Sequence, residues 1–173
     1  MARAIAGDEH ASSQVVDCAL PVVLGWCLRL CGGADPEDAA HDVLVVVLER
    51  LSGLRQPEAF PAWLFQITRK ICASRRRRHR VWGSLFGQAS PQASPAQLTE
   101  RQRKARRVQA ILDQLTPAHR EVLVLHDVEG RSDSEVARLL DIPKGTVKSR
   151  LRNGRKAFRE RAARAGLVHE EVA

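Results

Sequence analysis

The sequence predicts an all-α protein of two small helical domains joined by a flexible linker, with a C-terminal helix-turn-helix. Three observations predict it. Apolar residues recur at helical spacing, as in Trp63, Leu64, Ile67 and Ile71, and again in Val136, Leu139 and Leu140. Helix starts are written into Asp35-Pro36 and into Ser132, which has Glu135 three residues on. Residues 83–99 combine Gly83, Gly87, Pro91 and Pro95 with Ser, Ala and Gln, a composition that buries too little apolar area to offset ordering. A chain of 173 residues suits two small domains, placed here at residues 12–82 and 100–162 around a tether at 83–99.

Taken in order, residues 1–11 lack periodicity and are expected to fray. From Gln14 to Leu30, the residues Val15, Val16, Leu20, Val23, Leu24, Cys27 and Leu28 fit a helical stripe; Pro21 leaves open a break or a late start. Gly32-Gly33 ends this segment. Asp35 as N-cap and Pro36 at the first helical position then begin a helix over about 36–51. Its acidic residues Asp35, Glu37, Asp38, Asp42 and Glu49 contrast with Ala39, Val43, Leu44, Val46, Val47 and Leu48. The β-prone run Val43–Leu48 also suits a strand, but the Pro36 start and helical context decide for helix.

Residues 52–60 connect to a helix opened by Pro61, which runs into Arg75-Arg76-Arg77-Arg78-His79-Arg80. Beyond the tether, a helical block from Leu98 to Leu115 carries Val108, Ile111 and Leu112. The next helix, Pro117–Asp127, buries Val122, Leu123 and Leu125 before Glu129-Gly130-Arg131 breaks it. Ser132 caps the following helix. After Asp141-Ile142-Pro143 the last strong helix spans Thr146 to Arg159.

Charge is partitioned along the chain. The net charge of +8 and a pI near 10.2 favour a polyanionic partner. Residues 1–50 hold 3 basic side chains against 8 acidic, residues 51–100 hold 8 against 2, and residues 101–173 hold 17 against 10. An acidic first third and a basic remainder imply surfaces for different partners. No apolar run approaches the ~18 residues of a membrane span. Asp8 and Glu9 come early and no apolar export region follows, so no membrane insertion and a cytoplasmic location are expected.

Catalysis is not indicated. Asp35/Asp38, His41/Asp42 and His126/Asp127 read as caps and solvated faces, while His119 and His126 offer only two ligands. The cysteines Cys18, Cys27, Cys31 and Cys72 match neither a disulfide framework nor a CxxC pair. Cys27 and Cys31 share a helix face with Leu24, Leu28 and Leu30 and read as reduced core thiols in preference to a metal pair. No enzyme, cofactor or metal is expected.

The basic helices carry the functional signal. In the last one, Val147, Leu151, Gly154 and Phe158 recur at four, three and four residues and face inward, Gly154 permitting close approach. The opposite side presents Lys148, Ser149, Arg150, Arg152, Arg155 and Lys156. Thr146 to Arg150 are best placed for base edges, and the backbone N–H groups there suit a phosphate. An arginine fork on guanine is worth ~1–3 kcal/mol of discrimination. Arg155 and Lys156 suit phosphate anchoring. In the first domain, Arg75–Arg78 cover nearly a turn and cannot all face one phosphate row. Thr68, Arg69 and Ser74 are candidates for bases or sugars. Phe60, Trp63 and Phe65 are candidates for stacking on an opened base, with core packing favoured for Trp63.

Family resemblance rests on Leu115-Thr116-Pro117-x-x-Arg120-Glu121-Val122-Leu123, Ser134-Glu135-Val136-Ala137 and Ile142-Pro143-x-Gly145-Thr146-Val147-Lys148-Ser149-Arg150. These residues resemble the promoter −35 domain of the bacterial sigma-70 superfamily, within it the short two-domain extracytoplasmic-function sigma factors. Asp35 to Val43 resembles the acidic helix that docks on the clamp of core RNA polymerase. Ala59 to Ile67 resembles the approach to the −10 helix. His41 stands where Gln is common, and Lys70-Ile71-Cys72 lacks the Asn usual in that segment.

The resemblance implies a dissociable initiation subunit without enzymatic activity. Core polymerase would be held by Asp35, Glu37, Asp38, Asp42 and Glu49. The −10 element and its melted non-template strand would be met by Arg55, Phe60, Trp63, Arg69, Lys70, Ser74, Arg75 and Arg76. Double-stranded −35 DNA would be met by Thr146, Lys148, Ser149, Arg150, Arg152, Arg155 and Lys156. The resemblance also allows an anti-sigma protein as partner. The alternative is a stand-alone helix-turn-helix regulator whose first domain dimerises or senses a partner.

Overall fold

The computed structural model describes residues 1–86 and 99–167, and no strand occurs among them. The chain divides into two compact units, Met1–Phe86 with Arg138–Asp141, and Gly87–Ala137 with Ile142–Ala173. Most of the expected tether, residues 87–98, lies outside the described residues.

In the first unit the expected fraying does not occur. Residues Ala2–Ile5 form α1, and Ala4 is buried. Asp8 then caps α2 (Glu9–Leu30): its Oδ1 accepts the Ala11 N–H at 2.9 Å, and Arg3 Nε donates to its Oδ2 at 3.0 Å. The Ala11 N–H, followed by Arg3, holds the Asp8 carboxyl below its ordinary range. The sequence signal missed was an Asp cap preceding Glu9, because the apolar stripe starts a turn later.

Helix α2 passes through Pro21 without a break. A mid-helix proline costs about 3 kcal/mol; burial of Ala19, Val23, Trp26, Cys27 and Leu30 on α2's inner face offsets it. Helix α2 is long and apolar enough to cross a membrane by length and composition, with an 18-residue stretch of mean hydropathy 1.4. Its scattered polar residues hide this in a search for unbroken apolar runs. Its inner face is committed to α3 and α4.

Asp35 starts α3 (Pro36–Arg50) by accepting the N–H groups of Glu37 at 2.9 Å and Asp38 at 3.1 Å. Helix, not strand, is what Val43–Leu48 adopts. Two 3-10 turns, Leu51–Gly53 and Pro57–Ala59, lead into α4, which spans Phe60–Phe86. Residues 83–86, where composition places the start of the tether, continue this helix. Phe65 meets Trp26 edge-to-face, with centroids 4.9 Å apart.

The second unit holds α5 (Glu100–Asp113), α6 (Pro117–Leu123), the first part of α7 (Asp133–Leu140), whose residues from Arg138 on are grouped with the first unit, and α8 (Lys144–Arg164). Thr99 and Gln102 close a capping box on α5. A π-helical turn, Val124–Val128, follows α6 directly. The apolar spacing predicts one continuous helix to Asp127, but Val124 and Leu125 are both buried, and the wider turn accommodates the extra inward residue. Helix α8 packs on α5 and α6. It begins two residues before, and ends five residues after, the span that the spacing predicts.

Candidate nucleic-acid interfaces and the acidic helix face

The sequence makes α3 two-faced. Ala39, Ala40, Val43, Leu44 and Val47 are buried, so Glu37, Asp38, His41, Val45, Leu48 and Glu49 are left outward. The carboxylates thus open a face that ends in exposed apolar residues, Val45 and Leu48. Leu48, though part of the apolar set, is half exposed. Leu48 follows Leu44 by four residues, at the edge of the inner stripe, so periodicity alone does not separate it. Asp35 is committed to its cap. Asp42 is half-buried and receives Arg75 Nε at 2.7 Å.

Along α4 the candidates divide by phase. Lys70 and Ser74 are exposed, Arg69 and Arg76 half-buried, and Arg55 is exposed in the loop before the helix. Arg75 turns to Asp42 and also lies 3.6 Å from Asp38, so it is tied to α3. Thr68 is fully buried and donates its hydroxyl to the Leu64 carbonyl at 2.9 Å, which removes it from the base or sugar candidates. Phe65 is removed likewise by its burial against Trp26. Phe60 and Trp63 remain together, half-buried, with centroids 6.0 Å apart and rings tilted by 40°.

In the second unit a buried arginine sets the frame. Arg120 of α6 donates from Nε to the Leu112 carbonyl at 2.7 Å, satisfying an acceptor in the last turn of α5. Its Nη1 lies 3.4 Å from Asp113. Thr116 Oγ1 accepts the His119 N–H at 3.3 Å and starts α6. Ser132 and Glu135 form the reciprocal cap of α7: Glu135 Oε2 accepts the Ser132 N–H at 2.9 Å, and Ser132 Oγ accepts the Glu135 N–H at 3.3 Å.

Asp141, with φ 55°, makes the turn after α7. Val147, Leu151 and Gly154 of α8 are buried and Phe158 half-buried, as the spacing predicts. A Cβ on Gly154 would lie 3.3 Å from His119 Cβ and 3.4 Å from Leu123 Cγ, so the glycine does admit α6 closely. Lys148, Ser149, Arg152, Arg155 and Lys156 are exposed, and Thr146 and Arg150 half-buried. No side chain caps α8 at Pro143. Ser149 spends its hydroxyl hydrogen on the Thr146 carbonyl at 3.0 Å.

Arg155 is the exception on this face. Its Nε donates to Asp127 Oδ2 at 3.0 Å and its Nη2 donates to Asp127 Oδ1, a two-pronged grip on the π-helical turn. His126 Nδ1 lies 2.7 Å from the same carboxylate, and its Nε2 is 3.5 Å from Asp133. His126 and Asp127 are therefore parts of a network of polar contacts that includes the Arg155–Asp127 ion pair, and not a merely solvated face. The hydrogen bond from Arg155, then that from His126, holds the Asp127 carboxyl below its ordinary range despite partial burial.

Comparison with known proteins falls on these two units. Residues 15–81 match the family Sigma-70 region 2, and residues 105–158 match Sigma-70, region 4. The chain is similar to the probable RNA polymerase sigma factor RfaY of Xanthomonas campestris pv. campestris, with 30% identity over 91% of this chain. It is also similar to the ECF RNA polymerase sigma factor SigE of Mycolicibacterium smegmatis, with 32% identity over 79%. It spans 42% of the length of RfaY and 55% of SigE. Among solved structures, CnrH in complex with the cytosolic domain of CnrY aligns over 92% of each chain, with a TM-score of 0.67 and 25% identity.

Proposed function

We propose that this chain, which belongs to the extracytoplasmic-function group of the sigma-70 family, is a dissociable initiation subunit of RNA polymerase. The outer face of α3 docks on the core enzyme through Glu37, Asp38 and Glu49, with Val45 and Leu48 supplying apolar contact. Helix α4 and the loop before it meet the −10 element. Arg55, Arg69, Lys70, Ser74 and Arg76 contact the backbone there, and Phe60 and Trp63 offer ring faces to an unstacked base. Helix α8 enters the major groove at the −35 element. Thr146, Lys148, Ser149 and Arg150 reach base edges, while Arg152 and Lys156 hold phosphates.

The division of labour follows from energetics. Phosphate contacts give affinity with little sequence information. Two weak readers on one chain gain from effective concentration once both are fixed on the same polymerase. Opening DNA costs about 1.4 kcal/mol per stacked step, which captured bases and polymerase contacts offset without hydrolysis by this chain. The work takes place on chromosomal DNA in the cytoplasm. A protein that masks one of these surfaces, as the cytosolic domain of CnrY binds CnrH, is the regulatory partner the reading accommodates.

The reading is carried by one observation: the region 2 match falls on the unit with the acid-faced α3 and basic α4, and the region 4 match falls on the unit with the basic α8. Reconstitution with core polymerase on a randomised promoter library tests it. Transcripts enriched for two sequence blocks at fixed separation are expected. A folded, monodisperse chain that leaves core polymerase unbound overturns it, as do starts with no sequence preference.

A further inference from the structure

Three of the four cysteines converge. Cys27 and Cys31 sit one turn apart at the end of α2, and Cys72 faces them from α4. All three are at most 1% exposed. The Sγ atoms of Cys31 and Cys72 are 2.9 Å apart, those of Cys72 and Cys27 are 3.7 Å apart, and all three lie within 4.8 Å of one another. A core thiol acts as a small apolar group and ordinarily meets carbon. Here three sulfurs from two helices meet each other, and the sequence pairing of Cys27 with Cys31 gave no sign that Cys72 would join.

We propose that Cys27, Cys31 and Cys72 form a three-sulfur binding site for a soft, thiophilic cation, and that the ion is Cu(I). Soft thiolate ligands select Cu(I), zinc and iron–sulfur clusters over hard cations. Structural zinc takes four ligands. Among the described residues the group offers three donors, all sulfur, in a buried setting that leaves no place for a solvent ligand. A trigonal Cu(I) needs only those three.

The geometry is close to what such an ion requires. With metal–sulfur bonds of about 2.3 Å, as for zinc, a trigonal centre sets its sulfurs roughly 4 Å apart, so the Cys31–Cys72 separation opens by about 1 Å, within reach of side-chain rotation. The ligands stand on two packed helices, which fixes them in advance. Arg75 and Arg76, three and four residues beyond Cys72, place positive charge near Cys31, that of Arg75 being shared with Asp42. Cys31 ends α2 and is followed by Gly32 and Gly33, both at positive φ. On binding, each ligating S–H releases its proton to solvent and no electron is transferred.

The test uses the whole chain, reduced and free of oxygen, titrated with Cu(I) held by a coloured Cu(I) chelator. One Cu(I) per chain is expected to leave the chelator, and X-ray absorption at the copper edge should then show three sulfur neighbours and no nitrogen or oxygen. Cys31→Ser and Cys72→Ser should each weaken binding by more than the roughly 10–100-fold that loss of an outer-shell partner costs. Cys18→Ser, at an exposed position, should leave binding unchanged. The absorption measurement on the unaltered chain keeps the test valid should a serine variant misfold. Copper that stays with the chelator overturns the proposal. So does a coordination shell containing nitrogen or oxygen, binding that depends on Cys18, preferential four-coordinate capture of Zn(II), or a Cys31–Cys72 disulfide formed in place of a complex. None of these readouts involves polymerase or DNA.

Discussion

Arg75 on α4 closes onto Asp42 on α3, its Nε donating to the carboxylate at 2.7 Å, with Asp38 3.6 Å from its Nη1. One basic side chain of α4 and one acidic side chain of α3 thereby neutralise each other inside the first unit. The pair is half-exposed, with side-chain accessibilities of 21% and 47%, so solvent screens it and its stabilisation is about 1 kcal/mol or less. Arg75→Ala is expected to lower the stability of the first unit by that amount. A double-mutant cycle with Asp42→Ala in thermal unfolding should return a coupling of the same size. Promoter binding by the holoenzyme should suffer less from Arg75→Ala than from Lys70→Ala, whose side chain faces solvent. A larger DNA effect at Arg75 would place its guanidinium on phosphate in the complex.

On α8 the same logic separates neighbours. Lys156 is exposed, whereas Arg155 is already gripped by Asp127. Lys156→Ala should therefore reduce the salt slope of DNA binding by about 1 and weaken matched and mismatched sites alike. Arg155→Ala should move the slope less. Arg150→Ala should instead relax discrimination at one base position, a loss of about 1–3 kcal/mol on the preferred site. Equal weakening on matched and mismatched promoters would remove Arg150 from base reading.

The Asp127–Arg155 pair also predicts an acid-side change in stability. The Asp127 carboxyl is held below its ordinary value of 3.8, first by the hydrogen bond from Arg155. A depressed carboxylate stabilises the fold fully above its unfolded value, and the contribution disappears as pH falls through the lower folded value. In urea unfolding, the difference between the unaltered chain and Asp127→Asn should stay constant from about pH 7 to pH 5 and shrink as pH falls below the ordinary value of 3.8. Both side chains are over a third exposed or nearly so, which keeps the plateau under about 1 kcal/mol. A difference that grows on acidification would contradict the assignment.

What could be read in advance was local. The caps at Asp35, at Ser132 with Glu135, and the inward set Val147, Leu151 and Gly154 depend on spacings within one helix, and each appears where the spacing puts it. Pairings between helices carry no such signal. Arg75 meets Asp42 across 33 residues and Cys72 meets Cys31 across 41, and nothing in either segment names its counterpart. Phe65 shows the same limit. Its distance along the helix from Trp63 fixes their relative phase, but only Trp26 on another helix decides which ring becomes core. The π-helical turn was hidden for a third reason. Val122, Leu123, Val124 and Leu125 form an apolar run that is buried throughout, so periodicity could not mark the place where the helix widens.

Arg120, in the Leu115–Leu123 segment, is charged although it sits in the core. It is 1% exposed, and its Nε satisfies the Leu112 carbonyl while Nη1 faces Asp113. Removing one member of such an arrangement strands the others away from water. Arg120→Ala is expected to destabilise the second unit by about 3 kcal/mol, the low end for breaking a buried pair because Asp113 retains some solvent. Arg120→Lys should recover little, since an ammonium lacks the planar fork that spans both acceptors. Hydrogen exchange at the end of α5 would report the change directly: amides there should lose protection in Arg120→Ala while those of α3 keep theirs. Unchanged exchange throughout α5 would mean that the Leu112 carbonyl bond is dispensable.

Gly154 poses a contest between two effects of known sign. Alanine in a helix interior is favoured over glycine by about 1 kcal/mol. Against that, the added Cβ would meet His119 Cβ at 3.3 Å and Leu123 Cγ at 3.4 Å, so both side chains must give by a few tenths of an ångström, with the His119 carbonyl oxygen close behind at 3.5 Å. Leu123 is flexible beyond Cγ, and His119 is on the seven-residue α6, so a small displacement is available. Gly154→Ala should therefore be nearly neutral in urea unfolding. Gly154→Val places a second layer of carbon where no space remains and should cost roughly 1–3 kcal/mol by overpacking. The distinguishing measurement is the pair of variants taken together. Equal stability for alanine and valine would show that α8 does not press on α6 at this position, and the glycine would then be explained by something other than helix approach.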